Sequence, residues 1–209
     1  MMTSETPRAL DEINVSRETD ARLDAYAALV RKWSRSINLV SKNDLDHVRE
    51  RHIEDSLQLA SFLPKNRANW LDIGSGGGFP GIVMAIVARE QAPQTRFELV
   101  ESDARKAAFL RTVIRELELN ATVSCERIEA MTPRAADIMS ARALAPLDML
   151  LSYADRHLAP GGTCLFLKGK TVETEIHVAR EKWAFDLSSY VSRTDASARM
   201  LSITGIHHV

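Results

Sequence analysis

The 209-residue chain reads as an α/β fold: an open, mostly parallel sheet with helices on both faces, an antiparallel last strand and an N-terminal helical lobe. Three observations predict this. From Trp70 onward, short apolar runs alternate with amphipathic stretches, the pattern of parallel strands joined by crossover helices. Five glycines in eight positions, Gly74 to Gly81, stand between the first apolar run and the helix after it, where the backbone has to turn sharply. Two trailing runs, 185–192 and 199–208, have no helix between them and so pair only as a hairpin, which makes the last strand antiparallel.

The elements follow in order. Residues 16–63 are helical, with Leu23, Tyr26, Val30, Trp33 and Ile37 at three- and four-residue steps forming one apolar stripe. A second helix in this lobe runs from Asp44 or Asp46 to Phe62 and stops at Pro64. Lys65-Asn66-Arg67 then links a helical lobe, 1–64, to a sheet domain, 65–209. Strands are expected at 70–73, 97–100, 121–125, 138–140 and 163–167, and helices at about 80–90, 103–119, 145–159 and 171–183. No repeat or low-complexity segment interrupts them.

Composition narrows the function classes. A net charge of −1 provides no global field toward nucleic acid or an anionic membrane, so a polyanionic partner is met by a local patch. Cys125 and Cys164 lie in apolar, strand-like segments without Cys-x-x-Cys or nearby His spacing. Buried free thiols, no disulfide and no metal site are the expectation. The first residues are polar and acidic, and no stretch approaches eighteen apolar residues. A soluble, cytoplasmic protein without a membrane partner is therefore predicted.

The glycine run is the place for a ligand, because it exposes the first N–H groups of the following helix at its positive dipole end. Two cofactor classes compete for it. Asp72-x-Gly74-x-Gly76-x-Gly78 is an acidic-plus-three-glycine pattern suited to S-adenosyl-L-methionine. Gly76-x-Gly78-x-x-Gly81, with Glu101 some twenty residues on, also satisfies the dinucleotide fingerprint. Two details favour the sulfonium ligand: a carboxylate at the strand tip, Asp72, repels a pyrophosphate, and Pro80 removes an N–H that a pyrophosphate would use.

Ligands of open parallel sheets bind at the carboxyl ends of the strands. Asp72, Gly74, Ser75 and Gly76 follow the first strand, Glu101 and Ser102 the second, and Ile128 and Glu129 the third, while Arg142 ends the fourth and Lys168 the fifth. Glu101 suits a ribose, since a carboxylate accepts from both hydroxyls; a solvated strand-end carboxylate is the plainer reading. Ile128 and Glu129 suit an adenine, or a loop packed on the core. Arg142 has no acidic neighbour in sequence, so a phosphate, a ligand carboxylate or a structural ion pair is open to it. Lys168 either orients such an anion or is simply exposed.

Taken together, these residues resemble the small-subunit ribosomal RNA guanine-N7 methyltransferases of the RsmG type, also called glucose-inhibited division protein B. Tyr26 through Trp33, Ile37-Asn38-Leu39 and His52-Ile53-Glu54-Asp55-Ser56-Leu57 are similar to that family's N-terminal signature. Leu71 to Ile82 is similar to its cofactor loop, with the Phe79-Pro80-Gly81 turn its most specific part. Ser140-Ala141-Arg142-Ala143 and Leu167-Lys168-Gly169 fall where the family has related elements. The resemblance implies a Rossmann-like class I methyltransferase sheet in which Gly74, Phe79, Ile128, Glu129 and Arg142 contact S-adenosylmethionine. It also implies 16S ribosomal RNA of the small subunit as substrate, in the 530 loop, and neither DNA nor membrane.

Guanine N7 carries a free lone pair and loses no proton, which fits a sequence without an evident catalytic dyad; Arg142 and Lys168 are candidates for orienting the substrate. Arg31, Lys32, Arg35 and Lys42 form an acid-free basic stretch on an otherwise acidic lobe, suited to phosphates or to a solvated helix face. Arg105, Lys106, Arg111 and Arg115 offer a second such surface. His52 and Asp55 share one helical face and read as a structural pair rather than a catalytic one. A monomer is expected. The same fold acting on a small molecule or a protein, and a non-catalytic ribosome-binding factor, are the alternative readings.

Overall fold

The computed structural model describes residues 14–209. Helix α1, Arg17–Trp33, opens on the Ser16 hydroxyl, which accepts from the Thr19 N–H at 3.0 Å. Glu18 and Asp20 lie in its first turn and Arg31 and Lys32 in its last, each placed to complement the helix dipole. Its stripe of Leu23, Tyr26 and Val30 is buried as the spacing predicts.

The expected second helix of the lobe is not one regular helix. Lys42–His47 is a 3-10 turn, Arg49–Ile53 a π turn, Glu54–Leu57 the short α2, and Gln58–Phe62 again 3-10. Tertiary ties explain the change of winding. Arg49 is drawn to Asp20 and Asp24 of α1, while Gln58 and Asp55 reach Ser192 near the other end of the chain. Local departures from α geometry of this kind re-aim side chains.

The sheet has seven strands in the order β3-β2-β1-β4-β5-β7-β6. β1 is Asn69–Ile73, β2 Arg96–Val100, β3 Ala121–Ser124, β4 Ala136–Arg142 and β5 Leu158–Lys168, all parallel. β6, Trp183–Val191, and β7, Arg199–His208, form the hairpin. β7 inserts beside β5, antiparallel to it. β4 and β5 are longer than expected. β5 begins at Leu158 and runs through Pro160-Gly161-Gly162, where turn residues had masked a strand.

Alternation along the strands sends side chains to two cores. Trp70, Phe97, Leu99 and Leu165 face α1, α3 (Gly81–Gln91) and α4 (Ala104–Glu116). Leu71, Ile73, Met139 and Phe166 face α5 (Leu147–His157) and α6 (Val172–Arg180). Helix α3 is buried along Gly81–Ala88, lying between sheet and α1, so it is apolar on every side. Leu23, Tyr26, Val30 and Ile53 join its cluster, and the helical lobe shares its core with the sheet.

One thiol departs from expectation. Cys164 is buried in β5, whereas Cys125 is exposed, because it lies one residue past the end of edge strand β3, where the chain leaves the sheet. Among the described residues, no helix is long and apolar enough to cross a membrane.

Candidate active site

Strand order reverses between β1 and β4, and the glycine loop leaves β1 at that switch point. Gly76 takes φ +55°, and a Cβ on it would meet nothing nearer than the Gly74 carbonyl at 3.8 Å. The loop is therefore open on that side. Its other side is filled: a Cβ on Gly81 would lie 2.7 Å from the Asp72 carboxylate, and the buried Tyr26 hydroxyl donates to the Gly77 carbonyl at 2.5 Å.

Asp72 corrects the expectation of a ligand-facing carboxylate. It is fully buried, beneath the loop rather than in its mouth, because the first turn of α3 closes over it. Trp70 Nε1 donates to Ser140 Oγ at 2.8 Å, and Ser140 Oγ donates to Asp72 Oδ1 at 2.6 Å. Burial pushes this carboxyl up to about 6, opposed chiefly by the hydrogen bond from Ser140, and its Oδ2 is buried without a hydrogen-bond partner. Asp72 braces the loop from below, so its role against a pyrophosphate does not follow from direct repulsion. Ser75 is likewise buried, its hydroxyl donating to the Asp72 carbonyl.

Glu101 and Ser102 stand beside the open side. Glu101 Oε2 accepts from the Gly76 N–H and Oε1 from the Asp103 N–H, each at 2.8 Å, which sets the carboxylate across the loop with lone pairs remaining for hydroxyl donors. Ser102 is exposed. Beyond β3, Ile128 is buried and Glu129 exposed. The Tyr153 hydroxyl donates to Glu129 at 2.6 Å, and this bond lowers the carboxyl below its usual range. An open left-handed glycine, a carboxylate pinned to it and an aliphatic–acid pair one strand over fit an adenosyl ligand that carries hydroxyls and an exocyclic amine.

Arg142 lies on the other side of the switch point, and here the structure supplies the acid that the sequence did not show. Its Nε is 3.3 Å from Asp55 Oδ2, Nη1 lies 2.6 Å from His52 Nδ1, and Nη2 donates to the Arg51 carbonyl at 3.1 Å. His52 and Asp55 thus meet through Arg142 rather than directly. Burial and the Arg142 charge push His52 down to about 4, and its Nε2 is buried without a hydrogen-bond partner. Phe79 is packed between Tyr26 and His52, at ring distances of 5.3 and 5.0 Å, so its ring forms a wall between loop and lobe.

Lys168 is not an exposed strand end. Its ammonium contacts Glu175 at 2.5 Å and donates to the Ala145 carbonyl at 2.8 Å. Arg142 and Lys168 both line a cavity of about 680 Å³, within the size range of small-ligand sites, together with Arg51, Arg199, Asp55 and Glu175. Sequence reasoning missed Arg51, Arg199 and Tyr26 here, since only folding brings them to β4 and β5 or under the loop. Arg31, Lys32, Arg35 and Lys42 are all exposed, away from this cavity's lining. Arg105 instead pairs with Asp103, and Arg111 donates to the Val123 carbonyl. Among the described residues, no group of three or more His, Cys, Asp or Glu is placed to hold a metal.

Residues 19–201 match the family model GidB, described as rRNA small subunit methyltransferase G. A relative from Cereibacter sphaeroides, named ribosomal RNA small subunit methyltransferase G, is 49% identical over 100% of both chains. One of the same name from Paracoccus denitrificans is 48% identical over 94% of this chain and 100% of its own. Among solved structures, M. jannaschii TYW2 in complex with AdoMet superposes with a TM-score of 0.57 at 12% identity, covering 84% of this chain and 80% of that one. A Corynebacterium glutamicum protein gives 0.60 at 12% identity over 88% and 92%. The fold is that of the S-adenosylmethionine-dependent methyltransferases, and the chain belongs to the family of small-subunit ribosomal RNA methyltransferases G.

Proposed function

We propose that this chain transfers the methyl group of S-adenosyl-L-methionine to N7 of a guanine in 16S ribosomal RNA, in the 530 loop of the small subunit, and that it acts as a cytoplasmic monomer. One observation carries the reading: in a chain of this family, the open glycine loop adjoins, across β1 and β4 on one edge of the sheet, a cavity lined by Arg51, Arg142, Lys168 and Arg199 with Asp44, Asp55, Glu175 and Asp195. The cofactor supplies an electrophilic methyl on a sulfonium. Glu101, fixed by the Gly76 and Asp103 N–H groups, would hold the ribose, and Ile128 with Glu129 the adenine. Asp72, Ser140 and Tyr26 keep the loop in shape without touching a ligand.

In the transfer, the N7 lone pair forms the new N–CH3 bond as the S–CH3 bond breaks, and the sulfur keeps that electron pair. No proton moves, and the positive charge passes to the guanine. The chain's contribution is therefore alignment, which supplies on the order of 7–11 kcal/mol of a barrier when it is complete. Arg51 and Arg142 on the acceptor side are paired with Asp44 and Asp55, whereas Arg199 is held by the Ala196 and Ala198 carbonyls, and its charge is suited to a nucleotide's phosphate. The target base has to be presented from a single-stranded or opened segment.

The test is transfer of labelled methyl to small subunits from cells lacking this protein, followed by mapping of the modified nucleotide. Label at a guanine N7, abolished by ribonuclease, is expected. Ribonuclease-resistant label would move the reading to a protein or small-molecule acceptor. Cofactor binding without turnover on any RNA would leave a ribosome-binding factor.

A further inference from the structure

On the β4 side, an apolar side chain stands between the two compartments. Leu144 follows β4 by two residues and is one of four large hydrophobic residues left exposed among those described, at 38%. It lies over the glycine loop: a Cβ on Gly74 would come within 2.4 Å of a Leu144 methyl, so only glycine leaves room for it. Ala143, its neighbour, lines the cavity on the other side. Leu144 therefore stands where the donor side ends and the acceptor side begins.

Its place is held rather than incidental. Ala143 takes φ +49°, a left-handed conformation that strains a residue with a Cβ and persists where the surroundings over-determine it. Both flanks are tied down. Arg142 is locked into the His52 and Asp55 network. Lys168 donates to the Ala145 carbonyl, and Glu175 accepts from the Leu147 N–H at 3.0 Å. A strained loop fixed at each end thus presents a partly exposed hydrophobic group at the carboxyl edge of the sheet, where further burial by a partner would be favourable.

Resting on the function proposed above, we propose that Leu144 is the platform on which the target base is seated, packing against the ring face so that N7 points across Gly74 at the methyl group. An aromatic base has an apolar face that a leucine covers well, and the same contact keeps water from the reacting atoms. Neighbouring polar groups are already engaged: Arg142 with His52, Asp55 and the Arg51 carbonyl, and Lys168 with Glu175 and Ala145. Arg199, held by the Ala196 and Ala198 carbonyls, would meet the nucleotide's phosphate while Leu144 sets the plane of its base.

The experiment compares the full-length wild type with Leu144→Ala, Leu144→Asn and Leu144→Met, using unmethylated small subunits and labelled S-adenosylmethionine. For Leu144→Ala, kcat/KM for the subunits should fall roughly tenfold to a hundredfold, as expected for a misplaced reactant. The cofactor Kd, measured by calorimetry, should stay within threefold of wild type, and the melting temperature should change little for so exposed a side chain. Leu144→Met, apolar and of similar volume, should restore most of the rate, and Leu144→Asn should not. Unchanged kcat/KM in Leu144→Ala, or a loss fully matched by weaker cofactor binding, overturns the platform and leaves Leu144 as packing for Gly74. If the wild type itself transfers nothing to small subunits, the proposed function falls and the platform with it, an outcome distinct from a normal wild type with an equally active Leu144→Ala.

Discussion

Two titratable residues, the buried Asp72 and the partly buried His52, respond to pH with opposite sign. Asp72 has a folded value of about 6 against an ordinary 3.8, so between about pH 4 and 6 the folded chain binds more protons than the unfolded chain. Its contribution to stability therefore falls as pH rises through this window and stays unfavourable above it. A two-unit shift corresponds to about 3 kcal/mol. Asp72→Asn keeps an acceptor for Ser140 and removes the charge; it should melt above wild type at pH 8, with the gap closing below pH 4. A gap that widened on acidification would refute the assignment. His52 is depressed to about 4 from 6.5, so its contribution is present above 6.5 and lost as pH falls toward 4. The two effects offset each other between pH 4 and 6, and His52→Gln, which removes only the second, should retain more of its stability than wild type as pH falls from 6.5 to 4.

At the scale of elements, the glycine loop has one face packed on the protein and one open face, proposed above for the cofactor, and substitutions separate them. Gly81→Ala drives a Cβ to 2.7 Å from the Asp72 carboxylate, which Ser140 and burial prevent from moving away. Overpacking of this kind costs about 1–3 kcal/mol, and the loss should appear in the melting temperature. Gly76→Ala meets only open space but keeps φ +55°, a strain of about 1–2 kcal/mol. Its methyl projects into the ligand side, so calorimetry should show cofactor affinity at least tenfold weaker in a folded protein. Normal affinity would mean that the ligand does not approach Gly76. Tyr26→Phe deletes the bond from α1 to the Gly77 carbonyl and leaves a buried acceptor unpaired, a loss of about 1–3 kcal/mol.

For the whole molecule, a net charge of −1 makes any RNA contact a matter of local charge. Arg31, Lys32, Arg35 and Lys42 are exposed near the C-terminal end of α1 and just beyond it. If each meets a phosphate, changing all four to Gln should flatten the log–log salt dependence of RNA binding by roughly 3. An unchanged slope would make them an ordinary solvated face. The shared core of lobe and sheet adds that α1 is part of the glycine loop's support, through Tyr26 and through Leu23 and Val30 packed in the same cluster as α3.

Much of this was legible from the chain alone because it depends on local pattern. Apolar alternation from Trp70 specifies the parallel strands, the absence of a helix between 192 and 199 specifies the hairpin, and the glycines after β1 specify where the chain turns sharply into α3. Residue spacing also brought Glu101, Ile128, Glu129, Arg142 and Lys168 to the carboxyl edge. Which way their side chains are engaged was decided only by tertiary structure. The partner of Arg142 is Asp55, the brace under Asp72 comes from Ser140 and Trp70, and the broken winding of 42–62 answers to contacts with α1 and Ser192. Strand and helix formation follow from neighbours in sequence, whereas burial and charge pairing depend on residues that only the folded chain brings within a few ångströms.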